Sequence, residues 1–200
     1  MDRFLGVQGA LVLDSPSKSK KHKTGQEIQD SISVWSDVWY QPPVNHILVS
    51  LKYRPSQQLA ESLAQRLADL YHRESLKADL VAAVPLGSGR LKQRGYNQVE
   101  LLARPLADLI ELPCQHAAIF RTRETRSQVG LTLSERKNNV QEAFQADEVL
   151  VNGKRVLLVD DVCTTGATLF SCALALYSAG AREVTGLTVA RAKYQSLSIV

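Results

Sequence analysis

Two adjacent aspartates, Asp160 and Asp161, stand between an apolar run and a turn rich in threonine and glycine, in the stretch VLLVDDVCTTGATL at residues 156–169. Paired carboxylates at such a place can hold a divalent cation, or they can accept hydrogen bonds from the two hydroxyls of a vicinal diol. A purely structural turn requires neither kind of chemistry. The pair is therefore the first candidate for a functional site.

The turn that follows the aspartates has the composition of an anion-binding loop. Its backbone N–H groups would face outward at the start of a helix, and a helix N-terminus attracts phosphate. Glycine in the turn lets the backbone come close to a ligand. The residues predicted to bind a phosphate monoester are Cys163, Thr164, Thr165, Gly166, Ala167 and Thr168.

The acids and the turn fit one ligand together. Two carboxylates would repel a phosphate, so they must contact another part of the same molecule. A ribose 5-phosphate offers a phosphate for the turn and a diol for the carboxylates. The alternative is structural, with Asp161 as a helix cap and the threonines as ordinary turn residues. That alternative explains one acid and leaves the second acid and the three threonines unexplained.

The pattern of apolar residues predicts strands that alternate with helices around this motif. Strands are predicted within 80–89, 117–122, 154–160 and 183–190, and helices at 44–53, 57–72, 97–110, 134–143 and 166–179. Such alternation is typical of an α/β fold with a central, mostly parallel sheet flanked by helices on both faces. Ligands of these sheets lie at the carboxyl ends of the strands, which is where the two aspartates fall.

The first forty residues predict no compact unit of their own. Residues 1–14 fit a short hairpin or edge strands, and residues 15–36 are predicted to form a loop. The chain is therefore divided into an irregular segment at 1–40 and one α/β domain at 41–200. The three cysteines lie far apart without a Cys-x-x-Cys pair, which argues against a zinc site and a disulfide framework.

Composition and charge narrow the class of protein. No run of about 18 apolar residues is present, so we expect no membrane insertion. The N-terminus is a poor signal peptide, which leaves the cytoplasm as the default compartment. The net charge of +4 mildly favours an anionic partner. The basic run KSKKHK at 18–23 fits a solvated loop better than a nucleic-acid patch.

Four segments, in order along the chain, resemble a known family. They are YQPPVNHILVSLKY, VPLGSGRLKQRGYNQVELLARPLA, RTRETRSQVGLTLSERKNNVQEAF and VLLVDDVCTTGAT. The last is similar to the phosphoribosyl pyrophosphate (PRPP) motif of the type I phosphoribosyltransferases. Together the four resemble the ComF-type competence proteins of that superfamily, over roughly residues 40–190.

This sequence departs from the family pattern in two places. Family members usually carry an N-terminal zinc finger with four cysteines, whereas residues 1–40 hold no cysteine, so we expect no zinc. Gly87 and Ser88 stand where the family often has His-Pro, within the loop that binds pyrophosphate.

The resemblance implies a type I phosphoribosyltransferase-like fold, PRPP as ligand, and Mg²⁺ bound through PRPP. It implies that Asp160 and Asp161 are the catalytic acids that anchor the ribose, and that residues 163–168 hold its 5′-phosphate. The implied pyrophosphate-binding residues are Pro85, Leu86, Gly87, Arg90 and Arg94. The implied flexible loop that closes the site contains Arg123, Arg126, Gln128 and Arg136.

Three functions agree with this resemblance. The first is a Mg²⁺-dependent phosphoribosyltransferase in which an unidentified acceptor displaces pyrophosphate from C1 of the ribose. The second is a non-catalytic, PRPP-sensing protein of natural competence, acting in DNA uptake and transformation and binding single-stranded DNA or a DNA-uptake helicase. The third and weaker one is nucleobase salvage, for which no base-recognition segment is found.

Overall fold

The computed structural model describes residues 7–14, 31–122 and 143–193. The strands are β1 (Leu11–Asp14), β2 (Ser31–Trp39), β3 (Leu80–Ala83), β4 (Ile119–Arg121), β5 (Phe144–Ala146), β6 (Arg155–Cys163) and β7 (Glu183–Arg191). The helices are α1 (Val44–Tyr53), α2 (Gln57–Arg73), α3 (Ser88–Arg94), α4 (Gln98–Leu109), α5 (Glu148–Val151) and α6 (Ala167–Ser178). None of these helices within the described ranges is long and apolar enough to cross a membrane.

The central sheet has five strands in the order β1-β2-β7-β6-β3. Strands β2, β7, β6 and β3 run parallel to one another, and β1 pairs antiparallel with β2 at the edge. Strands β4 and β5 form a separate antiparallel pair. The predicted α/β fold with a mostly parallel sheet is confirmed, and the carboxyl ends of β2, β7, β6 and β3 lie along one edge.

The loop predicted for residues 15–36 is wrong at its end, because Ser31–Trp39 forms a strand inside the central sheet. Ile32 and Val34 are buried against the core, as alternate residues of a strand should be. Ser36 and Asp37, later in the strand, are polar residues of the kind that usually occur in loops. In the structure Ser36 is buried and its Oγ lies 2.7 Å from Thr188 Oγ1 of β7, so a cross-strand hydrogen bond satisfies it.

Helices cover both faces of the sheet, as predicted. One apolar core packs β6 residues Leu157 and Val159 against α1, α2 and α4. The other packs Val156 and Leu158 against α6 and the β4–β5 pair. Because successive side chains of a strand point to opposite faces, β6 needs apolar residues at every position, which explains its uninterrupted apolar run.

Side-chain hydrogen bonds cap the N-termini of two helices. The Ser56 side chain accepts a hydrogen bond from the N–H of Leu59 at the start of α2, at 3.3 Å. The Asn97 side chain accepts one from the N–H of Val99 at the start of α4, at 3.0 Å. These caps satisfy N–H groups that have no partner within the helix.

An ion pair joins the amino ends of β3 and β6. Arg155 Nη2 lies 2.6 Å from Asp79 Oδ1, and the backbone N–H of Arg155 donates to Asp79 Oδ2 at 2.8 Å. The hydrogen bonds from the Arg155 side chain and backbone lower the pKa of Asp79 from 3.8 to about 2. Ionised Asp79 therefore stabilises the fold.

We expect Asp79→Asn to lower the free energy of unfolding at neutral pH by about 1 kcal/mol, a value reduced because the pair is partly exposed. Since the folded-state pKa lies below the unfolded one, this contribution is complete above the ordinary value of 3.8 and is lost as the pH falls towards about 2. Urea unfolding of the parent protein and the variant at several pH values measures this difference in the free energy of unfolding. Glu74→Gln, in the exposed Arg73–Glu74 pair, is the control and should change little. Equal losses in the two variants would contradict the prediction.

Candidate functional site

Strand β6 carries the two aspartates and continues beyond them. The predicted strand ended at residue 160 with a turn from 162, and this boundary is wrong, since Val162 still pairs with Ala190 and Cys163 with Arg191 of β7. Cys163 is the last residue of the strand and is buried. Burial raises the pKa of its thiol to about 11, so the thiol stays protonated and unreactive at neutral pH.

The structure separates the two aspartates. Asp160 is half-buried and lines a small cavity together with residues 162–169. Asp161 is buried, and its Oδ2 lies 2.9 Å from Lys52 Nζ of α1 and 3.5 Å from Gln98 Nε2 of α4. The two carboxylates therefore have different surroundings, one in the cavity and the other in an ion pair.

The surroundings of Asp160 shift the pKa of its carboxyl group. Burial and the neighbouring Asp161 carboxylate raise the pKa of Asp160 well above its ordinary value of 3.8. The backbone N–H of Asp161 donates to Asp160 Oδ1 at 2.8 Å, which offsets part of this effect. Asp160 is therefore a carboxylate whose ionised form is costly until a ligand or cation compensates it.

The turn between β6 and α6 lies beside Asp160. Gly166 precedes the first helical residue with φ of +76°, a left-handed conformation that favours glycine. A Cβ at this position would also overlap the side chain of Leu13 in β1. The residues around it that are exposed and line the same cavity are Thr164, Thr165, Ala167 and Thr168. The first turn of α6 leaves backbone N–H groups without helical partners, so an anion can bind over this turn at the mouth of the cavity.

The predicted pyrophosphate loop lies between β3 and α3, close to β6. Asn97 Nδ2 donates to the carbonyl of Val84 at 3.1 Å, and the Val84 N–H donates to the carbonyl of Val159 at 2.9 Å, which fixes the start of the loop. Pro85 and Leu86 are half-buried and Gly87 is buried.

The predicted loop extended to Arg90, but Ser88–Arg94 forms the helix α3, which leaves Arg90 exposed on it. The helix ends at Gly95, whose φ of +78° suits glycine. Arg121 of β4 lies beside the loop, with its Nη1 3.6 Å from where a Cβ on Gly87 would be. A guanidinium therefore lies against the predicted diphosphate position.

A closed set of contacts links Asp161 to α1, α3 and α4. Arg94 Nη1 donates to Gln98 Oε1 at 2.9 Å, and Gln98 in turn reaches Asp161. The Arg94 guanidinium also lies over the ring of Tyr53, 5.7 Å from its centroid. Tyr53 directly follows Lys52, and the ion pair between Lys52 and Asp161 closes this set of contacts. Arg94 is therefore linked to Asp161 through Gln98 and contacts α1 through Tyr53.

Comparison with known proteins decides the family. A family model described as "Phosphoribosyl transferase domain" matches residues 55–197 of the chain. The chain belongs to the phosphoribosyltransferase domain family.

Relatives of this phosphoribosyltransferase domain are named for DNA use and competence. The "DNA utilization protein YhgH" of Escherichia coli (strain K12) is 33% identical over 150 residues, which cover 72% of this chain and 66% of the relative. The chain thus spans just under two thirds of that protein. "Competence protein F" of Haemophilus influenzae is 32% identical over 161 residues, covering 76% of this chain and 70% of the relative.

A solved structure supports the fold of the phosphoribosyltransferase domain. The glutamine PRPP amidotransferase from B. subtilis, complexed with ADP and GMP, superposes with a TM-score of 0.50 at 20% identity. The superposition covers 70% of this chain and 30% of that one. At this identity the likeness concerns the fold alone.

Within the phosphoribosyltransferase domain, the structure brings Asp160, the turn before α6 and the Gly87 loop to one edge of the sheet. The predicted flexible-loop residues Arg123, Arg126, Gln128 and Arg136 lie outside the described residues.

Sequence reasoning missed Lys52, Tyr53 and Gln98. Two of them carried a usable signal, because Lys52 and Gln98 are polar residues next to the apolar faces of α1 and α4. Both also lie in segments that carry the family resemblance.

Proposed function

We propose that this domain binds PRPP as its magnesium complex at the carboxyl edge of the central sheet. The 5′-phosphate lies in the turn before α6, and the ribose lies against Asp160. The observation that carries this proposal is one cavity lined both by the Asp160 carboxylate and by the exposed turn at 164–168. A carboxylate and an anion cradle in one cavity fit a ligand that has a diol at one end and a phosphate at the other.

The phosphate end is supported by α6 and its threonines. The N–H groups of the first turn, which have no partner within the helix, and the positive end of the helix dipole favour a negatively charged group. The hydroxyls of Thr164 and Thr168 are exposed at the same place. Gly166 lets the backbone approach the ligand without a side chain in between.

The ribose end assigns different roles to the two acids. Asp160 lines the cavity, so its carboxylate accepts hydrogen bonds from the ribose hydroxyls. Asp161 is engaged by Lys52 and stabilises the position of Asp160 through the N–H that it donates. This differs from the sequence-based hypothesis, in which both acids accept hydrogen bonds from the diol.

The diphosphate end lies towards the Gly87 loop. Arg121 lies beside Gly87, and Arg90 projects from α3, so two guanidinium groups are near the position of a doubly charged group. Mg²⁺ prefers oxygen ligands and keeps bound water, and the Asp160 carboxylate with the oxygens of PRPP suits it. Bound Mg²⁺ would supply positive charge at the diphosphate end of the site.

The reaction that this arrangement serves is transfer of the phosphoribosyl group. A nucleophile forms a bond to C1 while the C1–O bond to pyrophosphate breaks; pyrophosphate leaves with the electron pair, and the proton of the nucleophile passes to solvent. The domain positions C1 and stabilises charge, with Asp160 beside the positive charge that develops on the ring. The names of the relatives support a role in DNA uptake or use.

Titration calorimetry with Mg²⁺ and PRPP tests this proposal directly. We expect Thr168→Val to weaken binding by about 5- to 30-fold, because one hydrogen bond to a charged phosphate is lost while the backbone donors remain. Ser178→Ala is the matched control, since Ser178 is an exposed hydroxyl residue at the other end of α6. Unchanged affinity in Thr168→Val, or no binding by the parent protein, would overturn the assignment.

A further inference from the structure

A groove of about 480 Å³ opens at the amino ends of the central strands, at the other end of the sheet from the cavity at Asp160. We call it the amino-end groove and define it by residues 31–33, 35, 75–77, 155 and 182–185. Because a strand rises about 3.3 Å per residue, Arg155 at the start of β6 lies about 17 Å from Asp160. The groove and the cavity are therefore separate sites.

Three basic side chains line the amino-end groove. Lys77 and Arg182 are exposed, and neither side chain forms a hydrogen bond or an ion pair within the part of the chain that the structure describes. Arg155 donates to Asp79 through Nε and Nη2, which leaves the N–H groups of its Nη1 for another acceptor. Asp79 offsets the charge of Arg155, and Glu183 is the single acid among the described lining residues. The groove therefore keeps a net positive charge, which suits a phosphate group.

Hydroxyl side chains line the other part of the groove, along β2 and β7. Ser33 pairs in register with Thr185, so their side chains lie next to each other on one face of the sheet. Thr185 is buried and still lines the groove, which places it at the base. Trp35, two residues after Ser33, is half-buried on the same face. This part of the groove offers hydrogen bonds and an apolar ring edge that a free phosphate ion does not need.

The backbone that carries the cations is held in place by hydrogen bonds. Ser75 has φ of +50°, which is uncommon for serine, and its N–H donates to the carbonyl of His72 at 3.0 Å. This turn after α2 fixes the position of the nearby Lys77. The N–H of Arg182 donates to the carbonyl of Lys154 at 2.8 Å, so the starts of β6 and β7 are joined. A site that is already ordered loses less conformational entropy when a ligand binds.

We propose that the amino-end groove is a second ligand site, which binds a phosphate monoester of a hydroxylated organic molecule, either a sugar phosphate or a nucleoside monophosphate. The three cations bind the phosphate. Ser33 and Thr185 bind the hydroxyls of the ligand, and Glu183 is a further acceptor for them. The volume of the groove lies in the range of sites for small organic ligands, about 300–1,000 Å³. The proposal goes beyond PRPP binding and does not depend on it.

Tryptophan fluorescence tests binding in the groove itself. The chain contains two tryptophans, so Trp39→Phe leaves Trp35, which lines the groove, as the single emitter. Glucose 6-phosphate and uridine 5′-monophosphate are the two probes, and at least one should change this emission in a saturable way. The stronger probe distinguishes a sugar phosphate from a nucleotide. Inorganic phosphate should bind at least about tenfold more weakly, because it lacks the groups that reach the hydroxyl side chains.

Two variants in the same background separate the two parts of the groove. We expect Lys77→Gln/Arg182→Gln to weaken binding of the stronger probe by about 10- to 100-fold, because two charged donors are lost. Lys92→Gln/Arg104→Gln is the matched control, since it removes the same charge from exposed positions on α3 and α4, and it should bind within about twofold of the parent. Thr185→Val keeps the shape of the side chain and should weaken the organic probe by about 2- to 10-fold while leaving the affinity for inorganic phosphate unchanged.

Three results would overturn the second site: no saturable response to either probe, equal affinity for inorganic phosphate, or equal weakening in the Lys92→Gln/Arg104→Gln control. Titration calorimetry with Mg²⁺ and PRPP on Lys77→Gln/Arg182→Gln should give the parental affinity, and a loss there would show that the groove and the cavity are not separate. Failure of PRPP binding by the parent protein with intact binding of a probe would overturn the proposed function and leave the groove standing.

Discussion

Replacement of Asp160 by asparagine is expected to weaken binding of the Mg²⁺–PRPP complex by about 10- to 150-fold, the equivalent of one charge-assisted hydrogen bond worth about 1.5–3 kcal/mol. Asparagine keeps the size of the side chain and removes its charge. Because Asp160 lines the cavity while Asp161 is held by Lys52, we expect the larger effect on PRPP at Asp160.

The same substitution is expected to stabilise the ligand-free protein. The pKa of Asp160 is raised by burial and by the charge of Asp161, so its ionised form disfavours the fold. A carboxyl group whose pKa is higher in the folded than in the unfolded state makes the folded protein bind more protons. Relative to Asp160→Asn, the parent protein should therefore gain stability as the pH falls from neutral towards the ordinary value of 3.8.

Thermal unfolding with and without Mg²⁺ and PRPP measures both effects. PRPP should raise the melting temperature of the parent protein by mass action, and much less in Asp160→Asn. Asp69→Asn, an exposed aspartate on α2 that bonds only to Gln65 among the described residues, is the control and should respond like the parent. Equal stabilisation of Asp160→Asn by PRPP would show that this carboxylate does not contact the ligand.

Removal of the Lys52 ammonium is expected to have the largest effect on stability. Lys52→Met leaves Asp161, whose side chain is 8% exposed, without its cation. Breaking a buried pair from one side costs about 3–5 kcal/mol, and we expect about 2–3 kcal/mol because the Lys52 side chain still contacts water. Methionine keeps the length and apolar part of lysine, so the loss reflects the charge.

A double-mutant cycle measures the interaction free energy between Lys52 and Asp161. Asp161→Asn in the Lys52→Met background should recover much of the lost stability, since no unpaired charge remains. Lys92→Met, at an exposed position on α3, is the control and should change the free energy of unfolding by less than about 0.5 kcal/mol. Strict additivity of the two substitutions would contradict a stabilising contact between Lys52 and Asp161. The cycle also tests whether Asp161→Asn, unlike Asp160→Asn, destabilises the ligand-free protein.

The amino-acid sequence by itself predicted the alternation of strands and helices around β6 and placed the acidic motif at the end of a strand. The helix at Val44–Tyr53 follows from its apolar spacing, and the caps at Ser56 and Asn97 follow from local hydrogen bonding. The motif at 156–169 placed the acids and the turn at a strand end because it combines a buried strand with a glycine before a helix. These features depend on residues close together in the chain, so they can be read from spacing.

The tertiary structure alone decided how the surroundings of the two acids differ. Asp160 and Asp161 are equivalent as neighbours in the sequence, and only the packing of α1 and α4 against one face of β6 gives Asp161 a cation and leaves Asp160 in the cavity. Strand β2 likewise depends on a distant partner, since Thr188 satisfies its buried Ser36. The ring of Trp39, at the end of β2, contacts the cationic groups of Arg191 and Lys193 at the end of β7. Burial and charge pairing depend on residues far apart in the chain, so the spacing of residues along the sequence does not predict them.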